Sequence, residues 1–303
     1  MIRSRVRATK VKGVHTPFLG SEAVAAGLAT KYQLRSTRGP FIAMFPDVYT
    51  RRDAEMTIHH RATAAWLWSH RGGVIAGLTA SALHGAEYVD EAAPIELYWP
   101  NRRPPRGIRT HKGVAVGHDE VTEHRGLALT TVERTAFDLG RHGHLGDAVA
   151  RLDALGNATR FHVEDVRALA DRHRGARGVR QLIRALHLYD PGAQSPKETW
   201  LRLLLIRNGY PRPATQIPVT SVDGRRQYYL DMGWEDRKLA VEYDGDHHRK
   251  DPAQFAHDII RSEDLDELRW TRVRVAKRHR TADVLERVAR AWAATVHSDR
   301  EIA

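Results

Sequence analysis

The residues best suited to chemistry lie in one short run. Lys238-Leu239-Ala240-Val241-Glu242-Tyr243-Asp244 reads as a β-strand that ends at Gly245. Strand side chains alternate, so Leu239, Val241 and Tyr243 share one face and Ala240, Glu242 and Asp244 the other. Two carboxylates then stand on one face with α-carbons about 6–7 Å apart. Asp231 is expected at the end of the preceding strand, where an antiparallel pairing brings it to the same end of the sheet. Like charges gathered this way repel and raise each other's pKa unless a cation neutralises them. Hard oxygen ligands suit Mg2+ or Mn2+. Such an ion polarises a phosphoryl oxygen and acidifies a bound water, which is the chemistry of phosphodiester hydrolysis. Asp231, Glu242 and Asp244 are therefore the expected metal ligands and members of the catalytic set. The plainer alternative is a surface strand with solvated acids, or a structural salt-bridge cluster with Lys238 or Arg237.

Beyond Gly245 follow Asp246-His247-His248-Arg249-Lys250. His247 or His248 suits a general acid or base. Arg249 or Lys250 suits a scissile phosphate. His247, His248 and His257 are an alternative zinc set, which no typical ligand spacing supports. Asp258 and Arg261 lie one helical turn apart, as an ion pair or as a brace for the site.

The elements that must position these groups start at Ser195. Ser195-Pro196-Lys197-Glu198 opens a helix: Ser at the N-cap, Pro in the first turn, Glu198 closing a capping box. Strands at 215–222 and 226–230, the strand with Glu242, a helix over 251–268, a strand at 271–275 and a helix over 281–295 follow. The order α-β-β-β-α-β-α predicts a sheet flanked by helices. Tyr189-Asp190-Pro191-Gly192-Ala193-Gln194 is the expected linker before it.

Toward the other end, Ser21 is expected to cap a short helix over 22–26 that stops at Gly27. A second helix at 30–35 and strands at 41–45 and 48–50 around Pro46-Asp47 complete the order of a winged helix-turn-helix. In that reading Lys31, Gln33, Arg35 and Arg38 meet base edges and phosphates of duplex DNA. The zone between, 54–190, reads as an α+β scaffold. It has helices near 57–69, 79–84 (closed by Gly85), 144–155, 163–171 and 179–188 and a strand at 95–99. A Thr130-to-Glu133 capping box leads an apolar face of Ala136, Phe137 and Leu139. Nothing in this zone carries obvious chemistry.

Bulk properties agree. The 303 residues suggest two or three domains. The formal charge of +11 favours polyanions. Residues 1–60 hold ten Lys/Arg against four Asp/Glu, 10 − 4 = +6, so the excess is concentrated at that end. Zero cysteines exclude disulfides and Cys-ligated zinc or iron–sulfur centres. No apolar run is long enough to span a membrane, and the basic start lacks the apolar stretch of a secretory signal. A cytoplasmic protein without a membrane partner is expected, and a homodimer is left open.

These residues together resemble a known family. Ser195-Pro196-x-Glu198, then Asp231, then Lys238 through Asp246 and His248, then Asp258, Arg261 and the strand at 271–275 are similar to the PD-(D/E)XK nuclease superfamily. The nearest branch is that of very-short-patch-repair-like endonucleases. The resemblance covers about 195–294. It implies a restriction-endonuclease-like fold, Mg2+ dependence and DNA cleavage. Asp231 and Glu242 stand as its motif acids, Glu198 as an added helix acid and His248 as a nearby catalytic group. The motif's Lys is replaced by Asp244, which leaves Lys238, Lys250 and His248 as candidates for its role. Residues 18–52 resemble the winged helix of AbiEi-type antitoxins, through Ala25-Ala26-Gly27-Leu28, Leu34-Arg35 and Val48-Tyr49. Leu78–Gly85 and Thr130–Leu139 resemble that family's second domain. The expectation is an α/β multidomain protein with three parts: a winged helix over 1–53, an α+β middle domain over 54–190 and an endonuclease-like domain over 195–303. Its implied role is Mg2+-dependent DNA cleavage in repair or in phage or plasmid defence. The alternatives are a non-catalytic, antitoxin-type transcriptional regulator with a degenerate nuclease fold, and a nuclease for RNA.

Overall fold

The computed structural model describes residues 16–100, 103–112, 114–245 and 252–298. Among them are eleven α-helices and three sheets, a mixed α/β architecture. The chain divides by its internal contacts into two units, Met1–Arg141 with Phe161–Val179, and His142–Arg160 with Arg180–Ala303. No helix among the described residues is long and apolar enough to cross a membrane.

The first unit begins with β1 (Phe18–Leu19), α1 (Gly20–Ala25), α2 (Lys31–Arg35), β2 (Phe41–Phe45) and β3 (Val48–Arg51). The three strands form one sheet in the order β1-β3-β2. The expected helix-turn-helix and hairpin order is therefore present, with an added strand in front. Ser21 does not cap α1, whose N-cap is Leu19 without a side-chain bond. Ser21 instead donates its hydroxyl to Asp47 at the β2–β3 turn, 2.6 Å away. The cap of α2 is Thr30, and Gln33 completes a capping box with it.

Next come α3 (Ile58–Trp68), β4 (Val74–Ile75), α4 (Gly77–Leu83), β5 (Ile95–Tyr98), β6 (Ile108–His111), β7 (Val121–His124) and β8 (Leu127–Thr130). The five strands are ordered β6-β5-β4-β8-β7. Ala62, Ala65, Ile75, Ala80, Ile95, Leu97, Ile108, Leu127 and Leu129 form the core there. Helix α5 (Val132–Arg141) follows. Its cap is Thr131, whose hydroxyl accepts from Arg134 N–H. The expected Thr130–Glu133 box is displaced by one residue, because Thr130 still belongs to β8 and its hydroxyl pairs with that of Thr135. Burial of α5 extends beyond the expected apolar face to Arg134, Asp138 and Arg141.

Helix α6 (Leu145–Thr159) belongs to the second unit, and α7 (Val163–Arg172) to the first. The division thus runs inside the expected middle zone. α6 is tied forward chemically: buried Asp153 accepts from Arg202 and Thr199 at 2.7 and 2.8 Å. The second unit continues with α8 (Val179–Leu188), α9 (Pro196–Arg207), β9 (Ala214–Thr220), β10 (Gln227–Trp234), β11 (Leu239–Asp244), α10 (Pro252–Glu267), β12 (Thr271–Ala276) and α11 (Thr281–Ser298). From α9 onward this is the expected α-β-β-β-α-β-α order. Its sheet runs β12-β11-β10-β9, with β11 parallel to β12 and the other pairs antiparallel. One core joins Met232, Trp234, Val241 and Val273 to Leu201 and Leu205 of α9 and Val284 and Val288 of α11. A second joins Ile217, Val219, Leu230 and Ala240 to Leu265 of α10 and Trp270.

Candidate functional site

β10 runs on through Asp231 to Trp234, so Asp231 is a mid-strand residue rather than the strand end expected from the sequence. Leu230 belongs to the core beneath α10, yet Met232 belongs to the core beneath α9 and α11. Residues two apart in a regular strand share a face. The alternation of β10 therefore breaks at Asp231. Its neighbour strand shows the same break. Leu230 pairs with Ile217 and Met232 with Thr215, while Gln216 between them adopts φ 49°. A positive φ is costly for a side-chain-bearing residue. This paired irregularity frees Asp231 from plain alternation.

On the other side, Met232 pairs with Val241, Gly233 with Ala240 and Trp234 with Leu239. Beyond that register, Asp231 Oδ2 accepts the Tyr243 N–H at 2.7 Å. Gly233 is required here, because a Cβ would lie 2.3 Å from the Leu239 carbonyl oxygen.

Glu242 is buried, with 6% of its surface exposed. Its Oε1 accepts from Arg261 Nη2 of α10, which also donates to the Tyr229 carbonyl at 2.9 Å. Its Oε2 is buried and has no hydrogen-bond partner among the described residues. Arg261 thus acts on Glu242 rather than only within its own helix. Asp244 is less buried, and its Oδ2 accepts from Arg274 of β12 at 2.9 Å. Glu198 performs its capping role: Oε1 accepts from Ser195 Oγ at 2.8 Å and Oε2 from Gln194 N–H at 2.9 Å. It is also nearly buried, and burial raises its pKa.

Electrostatics join three of these groups. Burial first, then the charges of Glu198 and Glu242, push the Asp231 carboxyl up to about 7, against the Tyr243 N–H and Arg261, which lower it. The acids that act on Asp231 are therefore Glu198 and Glu242, while Asp244 is drawn to Arg274. Among the described residues no three His, Asp or Glu side chains are grouped closely enough to hold a metal ion. His248, Arg249 and Lys250 lie outside the described residues. His257, from the alternative zinc set, stands edge-on to the Tyr228 ring at 6.1 Å.

The residues assigned to DNA lie on α2 and just after it. Lys31, Arg35 and Arg38 are exposed. The Gln33 side-chain oxygen accepts the Thr30 N–H at 2.8 Å in the capping box. Near the acid cluster, Lys277 and Arg278 are exposed in the turn after β12. β12 is parallel to β11 and Ala276 stands beside Asp244, so this turn leaves the sheet at the end that carries the acids.

The first unit also holds a buried charge network that the sequence reading does not anticipate. Arg134 is fully buried and donates to Asp138, Tyr98 and Glu120. Glu120 also accepts from His173 at 2.7 Å, and Asp138 from Arg141 at 2.9 Å. Burial is the largest influence on the Tyr98 hydroxyl, which is pushed up to about 12. The available signal was the spacing of Arg134, Asp138 and Arg141, four and three residues apart on one helix. It is masked by the apolar residues between them.

The second unit is thus an α/β fold whose sheet carries a buried acidic cluster at one end. No family model matches the chain. Two uncharacterized proteins of Mycobacterium tuberculosis, Rv2248 of strain H37Rv and MT2308 of strain CDC 1551, are each 27% identical over 235 residues. That span is 77% of this chain and 84% of either relative. The crystal structure of the RV2827C protein from the same organism aligns at a TM-score of 0.39 and 14% identity, over 73% of this chain and 90% of that one.

Proposed function

We propose that this protein binds duplex DNA and that its second unit hydrolyses a phosphodiester bond with the help of Mg2+ or Mn2+. The observation that carries the reading is the buried Glu198–Asp231–Glu242 cluster, with one Glu242 oxygen that has no partner among the described residues. A buried carboxyl that two neighbouring acids push upward, as Glu198 and Glu242 do to Asp231, suits a hard dication. Asp231 and Glu242 would hold the ion, which would supply an activated water and polarise the phosphoryl oxygen. The chain's own residues do the rest. Arg261 and the Tyr243 N–H orient the two carboxylates. Lys277 and Arg278 offer phosphate contacts beside them, and Lys31, Arg35 and Arg38 do so on and just after α2.

The test is nicking of supercoiled plasmid with Mg2+ or Mn2+. Wild type is expected to nick, while Asp231→Asn and Glu242→Gln, checked for folding by circular dichroism, do not. Equal nicking by all three refutes the assignment.

A second reading is a non-catalytic DNA-binding regulator. The ion pairs Glu242–Arg261 and Asp244–Arg274 favour it, because each acid already has a cation. Tight DNA binding without metal-dependent nicking would establish this reading in place of the first.

A further inference from the structure

Glu242 is almost fully buried, and a buried carboxylate needs a counter-cation. Here Arg261 is that cation. Its Nη2 spans Glu242 Oε1 and the Tyr229 carbonyl, so one nitrogen reaches both the acid and the backbone of the strand carrying Asp231. The Arg261 side chain is about three-quarters buried. It contacts only one oxygen of the carboxylate. A bidentate arginine would satisfy both, but Oε2 is buried and unbonded among the described residues.

From this geometry we infer that Arg261 is a resident counter-ion for Glu242, which a divalent cation must displace or outcompete to bind Asp231 and Glu242. The inference rests on the metal reading of the same acids. A guanidinium and a dication on one carboxylate repel strongly at such short range in a partly desolvated site. Two ligands that exclude each other at one site lower each other's affinity by the same factor. Arg261 therefore sets a threshold: the acids stay neutralised when divalent ions are scarce.

The roles of a charge and of a structural brace are separable. Arg261→Gln removes the charge and keeps a donor. Arg261→Lys keeps the charge. Mn2+ binding to the full-length protein is measured by electron paramagnetic resonance of the free ion, without DNA and without reference to activity. Arg261→Gln is expected to bind Mn2+ at least about tenfold more tightly than wild type. Arg261→Lys is expected to stay near wild type. Asp231→Asn should abolish binding in both the wild-type and the Arg261→Gln background. Equal or weaker binding by Arg261→Gln, with wild type still binding through Asp231, overturns the counter-ion role and leaves the metal reading standing. Absence of Mn2+ binding by every form, Arg261→Gln included, overturns both.

Discussion

Asp231→Asn should make the metal-free second unit more stable at neutral pH, by an amount that follows from its surroundings. The Asp231 carboxyl is raised from 3.8 to about 7, mainly by burial and then by the charges of Glu198 and Glu242. A folded pKa above the unfolded one means that the folded chain holds the proton longer. Stability contributed by this group is then complete below about pH 4 and declines as pH rises to 7. Each pH unit in that window costs about 1.4 kcal/mol, so the whole interval amounts to roughly 4 kcal/mol. Relaxation of the site and entry of water reduce this, and about 2–4 kcal/mol is a fair expectation. Asparagine carries no titrating charge, and its carbonyl oxygen can still accept the Tyr243 N–H. Denaturant unfolding in EDTA, followed at pH 5, 6, 7 and 8, reads the difference. Wild type should lose stability relative to Asp231→Asn through this range, with the curves flattening above pH 7. Adding Mg2+ at pH 8 should restore wild type and leave the variant unchanged. Parallel curves for the two proteins, or a variant less stable at pH 8, would refute the argument that Asp231 is a strained buried acid.

Three further predictions follow from named contacts. Arg134→Met should destabilise the first unit by about 3–5 kcal/mol, because it leaves Glu120 and Asp138 buried without their main cation; urea unfolding measures this, and a loss below 1 kcal/mol contradicts it. His173 and Arg134 hold the Glu120 carboxyl below its ordinary value, against burial. Its contribution is therefore present above about pH 4.5 and lost as pH falls through the lower folded value, so acid unfolding should be steeper for wild type than for Glu120→Gln. Where DNA is held is read from salt dependence. Replacing Lys277 and Arg278 by Ala, or Lys31, Arg35 and Arg38 by Ala, should flatten the slope of log affinity against log salt by up to about 0.9 per lost phosphate contact. An unchanged slope removes that surface from the interface.

Much of the second unit was legible in the sequence because local rules fix it. The cap at Ser195, the alternation of β11 and the break at Gly245 are each decided within a few residues. The same rules misplaced features that depend on a distant partner. Ser21 suits a helix cap, but Asp47, 26 residues away, takes its hydroxyl. Arg134, Asp138 and Arg141 escape a local reading because a charged residue on a helix looks solvent-facing until a second element covers it.

The acidic centre shows the same division most clearly. Sequence alone set the residue types, the strand that carries Glu242 and the shared face of Glu242 and Asp244, because side-chain alternation is a property of the single strand. It could not set which acids meet. That depended on the break opposite Gln216, which turns β10 at Asp231. It depended also on α9, which brings Glu198 within electrostatic reach, and on the arginines of α10 and β12, which divide Glu242 from Asp244. Charges interact through space, so their partners were decided only when separate elements packed together.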